Sequence, residues 1–127
     1  YHKFIESLKN CNNIHDNYLK ETLSLGPKKF MGITDKIICS DIKSSFKHRR
    51  IDIMYTKPEE YPFAILYFTG SKDYNTKVRK IALDKSLSIN EYHLKYKDTG
   101  KKIDHSFHSE KEIIEYLGLN YLEPIDR

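Results

Sequence analysis

The chain has 127 residues, of which 39% are hydrophobic and 31% charged, and its net charge is +4. That length suits one domain or two small subdomains sharing a core. No apolar run approaches a bilayer span, and the start shows neither a signal-peptide pattern nor an initiating methionine, so Tyr1 reads as the first residue of an excised piece.

Tyr1 to Asn10 carries Phe4, Ile5 and Leu8 at helical spacing, and Asn12-Asn13 breaks that helix. A strand with imperfect alternation is expected from Asn17 to Leu25, with Tyr18, Thr22, Leu23 and Leu25. Gly26-Pro27 is a turn signal, and "KKFMGIT" (Lys28–Thr34) follows as a second strand of a hairpin. Asp35 to Lys47 reads as a long polar connection. Cys11 and Cys39 lack CxxC spacing and read as free thiols in a reducing compartment. Between Lys28 and Arg50 stand seven basic residues (Lys28, Lys29, Lys36, Lys43, Lys47, Arg49, Arg50) and two acids (Asp35, Asp41). Such a cluster suits a polyanion, although a bare charge run is more often a solvated flank.

"HRRIDIMY" (His48–Tyr55) is the next strand. Period 2 puts Arg49, Ile51, Ile53 and Tyr55 on one side and Arg50, Asp52, Met54 and Thr56 on the other. The isoleucine side is expected to pack on a core. The Arg50–Asp52 side is then open, with those residues about 7 Å apart along the strand. Lys57-Pro58 marks a boundary between two subdomains, 1–57 and 58–127. Tyr61–Gly70 reads as a buried helix with Pro62 in its first turn and Gly70 as a left-handed cap. Ser71 is an N-cap candidate for an amphipathic helix from Lys72 to Lys85, with Tyr74, Val78, Ile81 and Ala82 inward. Ser88–Tyr96 reads as one strand, Asp98-Thr99-Gly100 as a turn, and Ser109-Glu110-Lys111-Glu112 as a capping box opening a short helix.

Five stretches now stand in order: "GPKKFMG" (Gly26–Gly32), "HRRIDI" (His48–Ile53), "LYFTGS" (Leu66–Ser71), "SINEY" (Ser88–Tyr92) and "YLGLNYLEPIDR" (Tyr116–Arg127). Their order and spacing resemble the family X DNA polymerases, the polymerase beta group, across nearly the whole chain. The resemblance implies an α+β fold. Residues 1–57 would form the C-terminal half of the palm, a partial antiparallel nucleotidyltransferase sheet. Residues 58–127 would form the small mixed helix and strand subdomain, the thumb, that selects the nucleotide. The implied activity is addition of deoxynucleotides to a primer 3′-hydroxyl with two Mg²⁺ ions, Mn²⁺ being an alternative. Hard cations want oxygen ligands, and the family uses three aspartates.

Asp52 matches the third of them, which makes it the catalytic and metal-binding residue here. The other two and a Gly-Ser motif have no counterpart in the sequence. The chain is therefore expected to be part of a longer enzyme and inactive alone. Arg50 matches the arginine at the primer end; a cation there favours the charged carboxylate, and the pair also reads as a structural ion pair. Tyr67, Phe68 and Gly70 match the segment against the sugar of the incoming nucleotide, with core packing the other reading of the two aromatics. Lys72 falls over the incoming base, Asn75 at its minor-groove edge and Arg79 at the template; an isolated Asn/Arg pair otherwise reads as a solvated face. Lys28 and Lys29 fall at the template backbone, or merely flank a turn.

Met54 departs from the pattern, standing where several members carry an arginine that pairs with the catalytic aspartate. That puts in doubt the switch in which Glu91 takes part. Thr76 replaces a longer basic residue near the template base. His105 and His108 lack further ligands for a zinc site. The implied partners are primer-template or gapped DNA and deoxynucleoside triphosphates, with no membrane and a monomeric state. The implied compartment is the nucleus, or host cytoplasm or virion for a viral source, which the Lys, Asn, Ile and Tyr usage leaves open. Two rival readings remain: a template-independent terminal transferase, against which the short Leu25–Lys28 turn speaks, and a non-catalytic DNA-binding module.

Overall fold

The computed structural model describes residues 1–10, 12–13, 16–17, 19–34 and 48–127, with backbone alone at 12–13 and 16–17. Cys11, Tyr18 and Cys39 lie outside the described residues. So does the connection over 35–47, with Asp35, Asp41 and with Lys36, Lys43 and Lys47 of the basic cluster. The chain divides into two compact units, Tyr1–Tyr55 and Thr56–Arg127.

The first unit opens with α1 (His2–Asn10), which buries Ile5. Two-residue strands β1 (Asn12–Asn13) and β2 (Asp16–Asn17) then pair antiparallel. Asn12-Asn13 thus does more than end a helix. Asparagine is poor in helix interiors, and here the extended chain finds ladder partners instead. A three-stranded antiparallel sheet follows, in the order β3 (Leu19–Leu25), β4 (Lys29–Thr34), β5 (Arg50–Met54). The β3–β4 turn closes with the Gly26 N–H donating to the Lys29 carbonyl at 2.8 Å.

Register decides the faces. Phe30 stands opposite Ile53 and Gly32 opposite Ile51, while Met31 stands opposite Asp52 and Lys29 opposite Met54. The Phe30 side chain is completely buried. A Cβ on Gly32 would lie 2.7 Å from Phe30 Cζ and 2.9 Å from the Glu21 carbonyl oxygen. Only glycine lets the ring lie across the strand there. Ile51 and Ile53 are half-buried, short of the expected core positions. In so small a unit, Phe30 and Ile5 take the enclosed centre and little apolar surface remains to cover the rest.

In the second unit a 3-10 turn, Pro58–Glu60, leads into α2 (Tyr61–Thr69). This helix buries Pro62, Phe63, Ala64 and Leu66. It is not buried all round, as its composition suggested: Tyr67 is 37% and Phe68 60% exposed. Gly70 has φ 73° and ψ −149°, and the Gly70–Ser71 peptide is cis. The expected left-handed cap is therefore corrected: this ψ lies outside that well, in a region open essentially to glycine alone. The Ser71 hydroxyl accepts the Tyr74 N–H at 3.3 Å and starts α3 (Lys72–Asp84), which buries Tyr74, Val78 and Ala82 along one stripe.

The single strand expected over Ser88–Tyr96 is two strands. β6 (Leu87–Ile89) pairs antiparallel with β7 (Leu94–Tyr96). The Asn90 side-chain oxygen accepts the N–H groups of Tyr92 and His93 at 3.0 Å each, and this local turn folds the strand back. α4 (Glu110–Tyr116) closes the core with Ile113 and Ile114. The Ser109 hydroxyl caps Glu112 N–H at 3.2 Å. The Glu112 carboxylate accepts from His108 N–H at 2.9 Å, one residue before the position a capping box uses.

A second 3-10 turn, Pro124–Asp126, ends the described chain. The Arg127 side chain is fully buried and forks onto Glu110, with both contacts at 2.8 Å. Tyr121 donates its hydroxyl to the same carboxylate at 3.0 Å, and the Tyr74 and Tyr121 rings lie 5.2 and 5.1 Å from the guanidinium. Among the described residues the fold is α+β, four helices with small antiparallel sheets, as the sequence led one to expect.

Candidate functional site

In the first unit the outer face of β4 and β5 carries Lys29, Met31 and Ile33 beside Arg50, Asp52 and Met54. Asp52 Oδ1 lies 3.0 Å from Arg50 Nε, and Asp52 Oδ2 lies 3.4 Å from both Arg50 Nη2 and Lys29 Nζ. The long arginine bridges the two-residue spacing along the strand. Lys29 arrives diagonally from β4, which the linear sequence did not foretell. All three side chains reach solvent, Arg50 at 66% and Asp52 at 31% exposure, so the pairs add little stability. What they set is charge. One carboxylate with two cations leaves a net positive patch that attracts anions. Lys28 contributes its carbonyl, which accepts the Tyr55 N–H at 2.7 Å.

Asp52 offers oxygen donors of the hardness a divalent ion wants. Among the described residues, however, no group of three or more His, Cys, Asp or Glu is placed to hold a metal ion. His105 packs on Phe107 and Tyr116, with ring centroids 4.5 and 5.6 Å away.

In the second unit Tyr67, Asn75 and Arg79 come together. The Asn75 amide donates to the Tyr67 carbonyl at 2.7 Å, and the Arg79 guanidinium stands 5.3 Å from the Tyr67 ring. The stacking holds an exposed cation over an aromatic face. With Phe63, Leu66, Ile89 and Asn90 these residues line a shallow groove. Phe68 meets Tyr67 edge to face at 5.0 Å. Lys72 is exposed in the first turn of α3, and its carbonyl accepts the Thr76 hydroxyl at 2.9 Å. The groove thus joins the end of α2 to the start of α3, the join that Gly70 makes possible. A larger cavity of about 460 Å³ lies elsewhere in the unit, walled by Tyr61, Tyr92, His93, Lys102, His105 and His108 among others.

Glu110 and His93 are both displaced from their ordinary pKa values. The Arg127 hydrogen bonds hold Glu110 below the usual carboxylate range. Burial, helped by Lys102 and Lys95, holds His93 below the usual imidazole value.

Residues 64–127 match the family described as DNA polymerase beta thumb. The chain belongs to the family X DNA polymerases, as part of their C-terminal region. It is 28% identical over 131 residues to DNA polymerase lambda of Rattus norvegicus, covering 97% of this chain and 22% of that one. It is 33% identical over 85 residues to the DNA nucleotidylexotransferase of Ambystoma mexicanum, covering 67% of this chain and 16% of that one. A nucleotidylexotransferase of Gallus gallus is 34% identical over 82 residues, covering 65% of this chain and 16% of that one. The chain thus spans about a fifth or less of the length of these curated relatives. None of them speaks for a viral source. Among the described residues no helix is long and apolar enough to cross a membrane.

For a family X thumb, two features escaped the sequence reading. The Glu110–Arg127 lock joins residues far apart in the chain, and only folding brings them together. The lysines of residues 95–102 were countable and the turn at Asp98-Thr99-Gly100 was expected, but the bridge of Lys95 to Lys102 across it was not read.

Proposed function

We propose that residues 1–57 are the end of a polymerase palm and 58–127 the thumb, within a DNA-directed DNA polymerase of the gap-filling type. The observation that carries this is the exposed Asp52 carboxylate, flanked by Arg50 and Lys29 on an open strand face and followed in sequence by the family X thumb. In this reading Asp52 gives one oxygen ligand to the Mg²⁺ pair whose chemistry is nucleotidyl transfer. Arg50 keeps that carboxylate oriented and reaches the primer end. Lys28 and Lys29 hold template phosphates. Tyr67, Phe68 and the backbone at Gly70 press on the deoxyribose. Lys72, Asn75 and Arg79 contact the incoming base and the template. Minor-groove acceptors sit alike in all correct pairs, so contacts of the Asn75 kind check shape without reading sequence. A nuclear place of work goes with this reading.

The chain alone is expected to bind primer-template DNA without extending it, because one aspartate cannot hold two metal ions. Exchanging it for the corresponding segment of rat DNA polymerase lambda tests the rest. The chimera is expected to extend a primer, and Asp52→Ala within it to abolish extension while leaving DNA binding within a few-fold. Extension that survives Asp52→Ala removes Asp52 from the metal site.

Template-independent extension is the second reading, favoured by the 33% and 34% identity to nucleotidylexotransferases. The tight Gly26–Lys29 turn stands against it. Comparing the chimera on templated and untemplated primers separates the two.

A further inference from the structure

The cavity of about 460 Å³ beside α2 takes no part in the proposed reaction. Its volume is in the range of pockets that bury a small organic ligand. The floor is apolar, because Phe63, Leu94 and Phe107 line it and are all buried in the core of the unit. Phe107 is held by three rings, with the Phe63, His105 and Tyr116 centroids 5.4, 4.5 and 5.3 Å away. Such packing fixes the floor before any ligand arrives. Pro58, Pro62, Tyr61 and Tyr92 add walls, and the two prolines have almost no side-chain entropy to lose on binding. Tyr61 is 58% exposed, so an aromatic surface stands open to solvent there.

The polar groups of the cavity are few and differ in kind. Lys102 lines it and has no carboxylate at ion-pair distance among the described residues. Glu59, the acid on the wall, has its carboxylate 4.0 Å from Lys57 Nζ. His93 is held below its ordinary value first by burial, then by Lys102 and Lys95, against the opposite pull of Glu60 and Glu91. Its ring is therefore a neutral partner near pH 7. The complementary occupant is flat and apolar over most of its surface and negative at one end. An inorganic anion would leave the rings in water, and an uncharged aromatic would leave the ammonium unpaired. Duplex DNA offers no free ring to a cavity of this size.

We propose that this cavity binds a small planar aromatic ligand with one anionic group, the class to which a free nucleoside monophosphate belongs. The rings of Tyr61, Tyr92 and Phe107 take the flat part, and Lys102 takes the anion. The site is separate from the groove of Tyr67, Asn75 and Arg79, although Phe63 lines both.

The test titrates the whole chain in a calorimeter with AMP, with adenosine and with inorganic phosphate. AMP is expected to bind at one site, about tenfold tighter than either of the others, as a charge-assisted hydrogen bond would give. Lys102→Gln keeps the aliphatic stem and is expected to weaken AMP about tenfold while leaving adenosine unchanged. Tyr61→Ala is expected to weaken AMP and adenosine alike. Arg79→Gln is run in parallel, since the groove is the rival place for AMP, and is expected to change nothing. Weakening by Arg79→Gln and not by Lys102→Gln puts AMP in the groove and overturns the proposal. So does equal affinity for AMP and phosphate, equal affinity for AMP and adenosine, or no binding of AMP. A single-stranded oligonucleotide that displaces AMP at lower concentration than AMP itself assigns the cavity to a nucleic-acid strand and overturns it as well.

Discussion

Glu110 and Arg127 show how much one buried pair decides. Arg127 satisfies both oxygens of Glu110 and also donates to the Leu122 carbonyl at 2.9 Å. Arg127→Ala leaves a nearly buried carboxylate without its partner and is expected to cost about 3–5 kcal/mol in denaturant unfolding. The pH dependence follows from two depressed values. His93 is held below its ordinary 6.5 chiefly by burial, so the unfolded chain binds the proton more readily. Its contribution is complete above that value and is lost as pH falls toward the folded value. Glu110 is held below its ordinary 4.5 chiefly by the Arg127 hydrogen bonds, and its contribution is lost as pH falls below that. Unfolding midpoints from pH 8 to pH 3 are expected to fall in two stages, and Arg127→Ala to remove the lower one. Gly32→Ala drives a methyl into Phe30 and the Glu21 carbonyl and is expected to cost about 1–3 kcal/mol by the same measurement.

Helix caps and strand turns decide more at the level of elements than propensity does. Ser71 does two things: it accepts the Tyr74 N–H and so starts α3 directly after the Gly70 bend. Ser71→Ala is expected to cost about 1 kcal/mol. It should also loosen the groove, since Asn75 and Arg79 stand in the next turns; hydrogen exchange over the first two turns of α3 reads this. Asn90 is the corresponding device for the strands. The antiparallel bridge that sets Lys95 opposite Lys102 gives the opposite sign, because relief of like-charge repulsion in Lys102→Gln is expected to stabilise the sheet by about 0.2–1 kcal/mol in denaturant unfolding.

For the molecule as a whole, the salt dependence of DNA binding is the sharpest measurement. With one phosphate each on Lys28, Lys29 and Arg50, as proposed above, the expected slope is about −2.7. The family, the α+β class and most elements were legible in the sequence, because helical period, turn residues and caps are local and the motif order is linear. The strand break at Asn90 was not, because a stretch such as Ser88–Tyr96 alternates well enough to pass for one strand until a side chain finds two backbone donors. The exposure of Tyr67 and Phe68 was not, because an apolar helix shows which side faces water only once its neighbours are in place. The sequence by itself determined that Asp52 and Arg50 share a strand face, since period 2 is a property of any extended chain. Only the tertiary structure decided that Lys29 joins them and that Arg127 closes on Glu110. Each of those contacts depends on the register or packing of segments distant in sequence, and register is set by the buried partners of the opposite face.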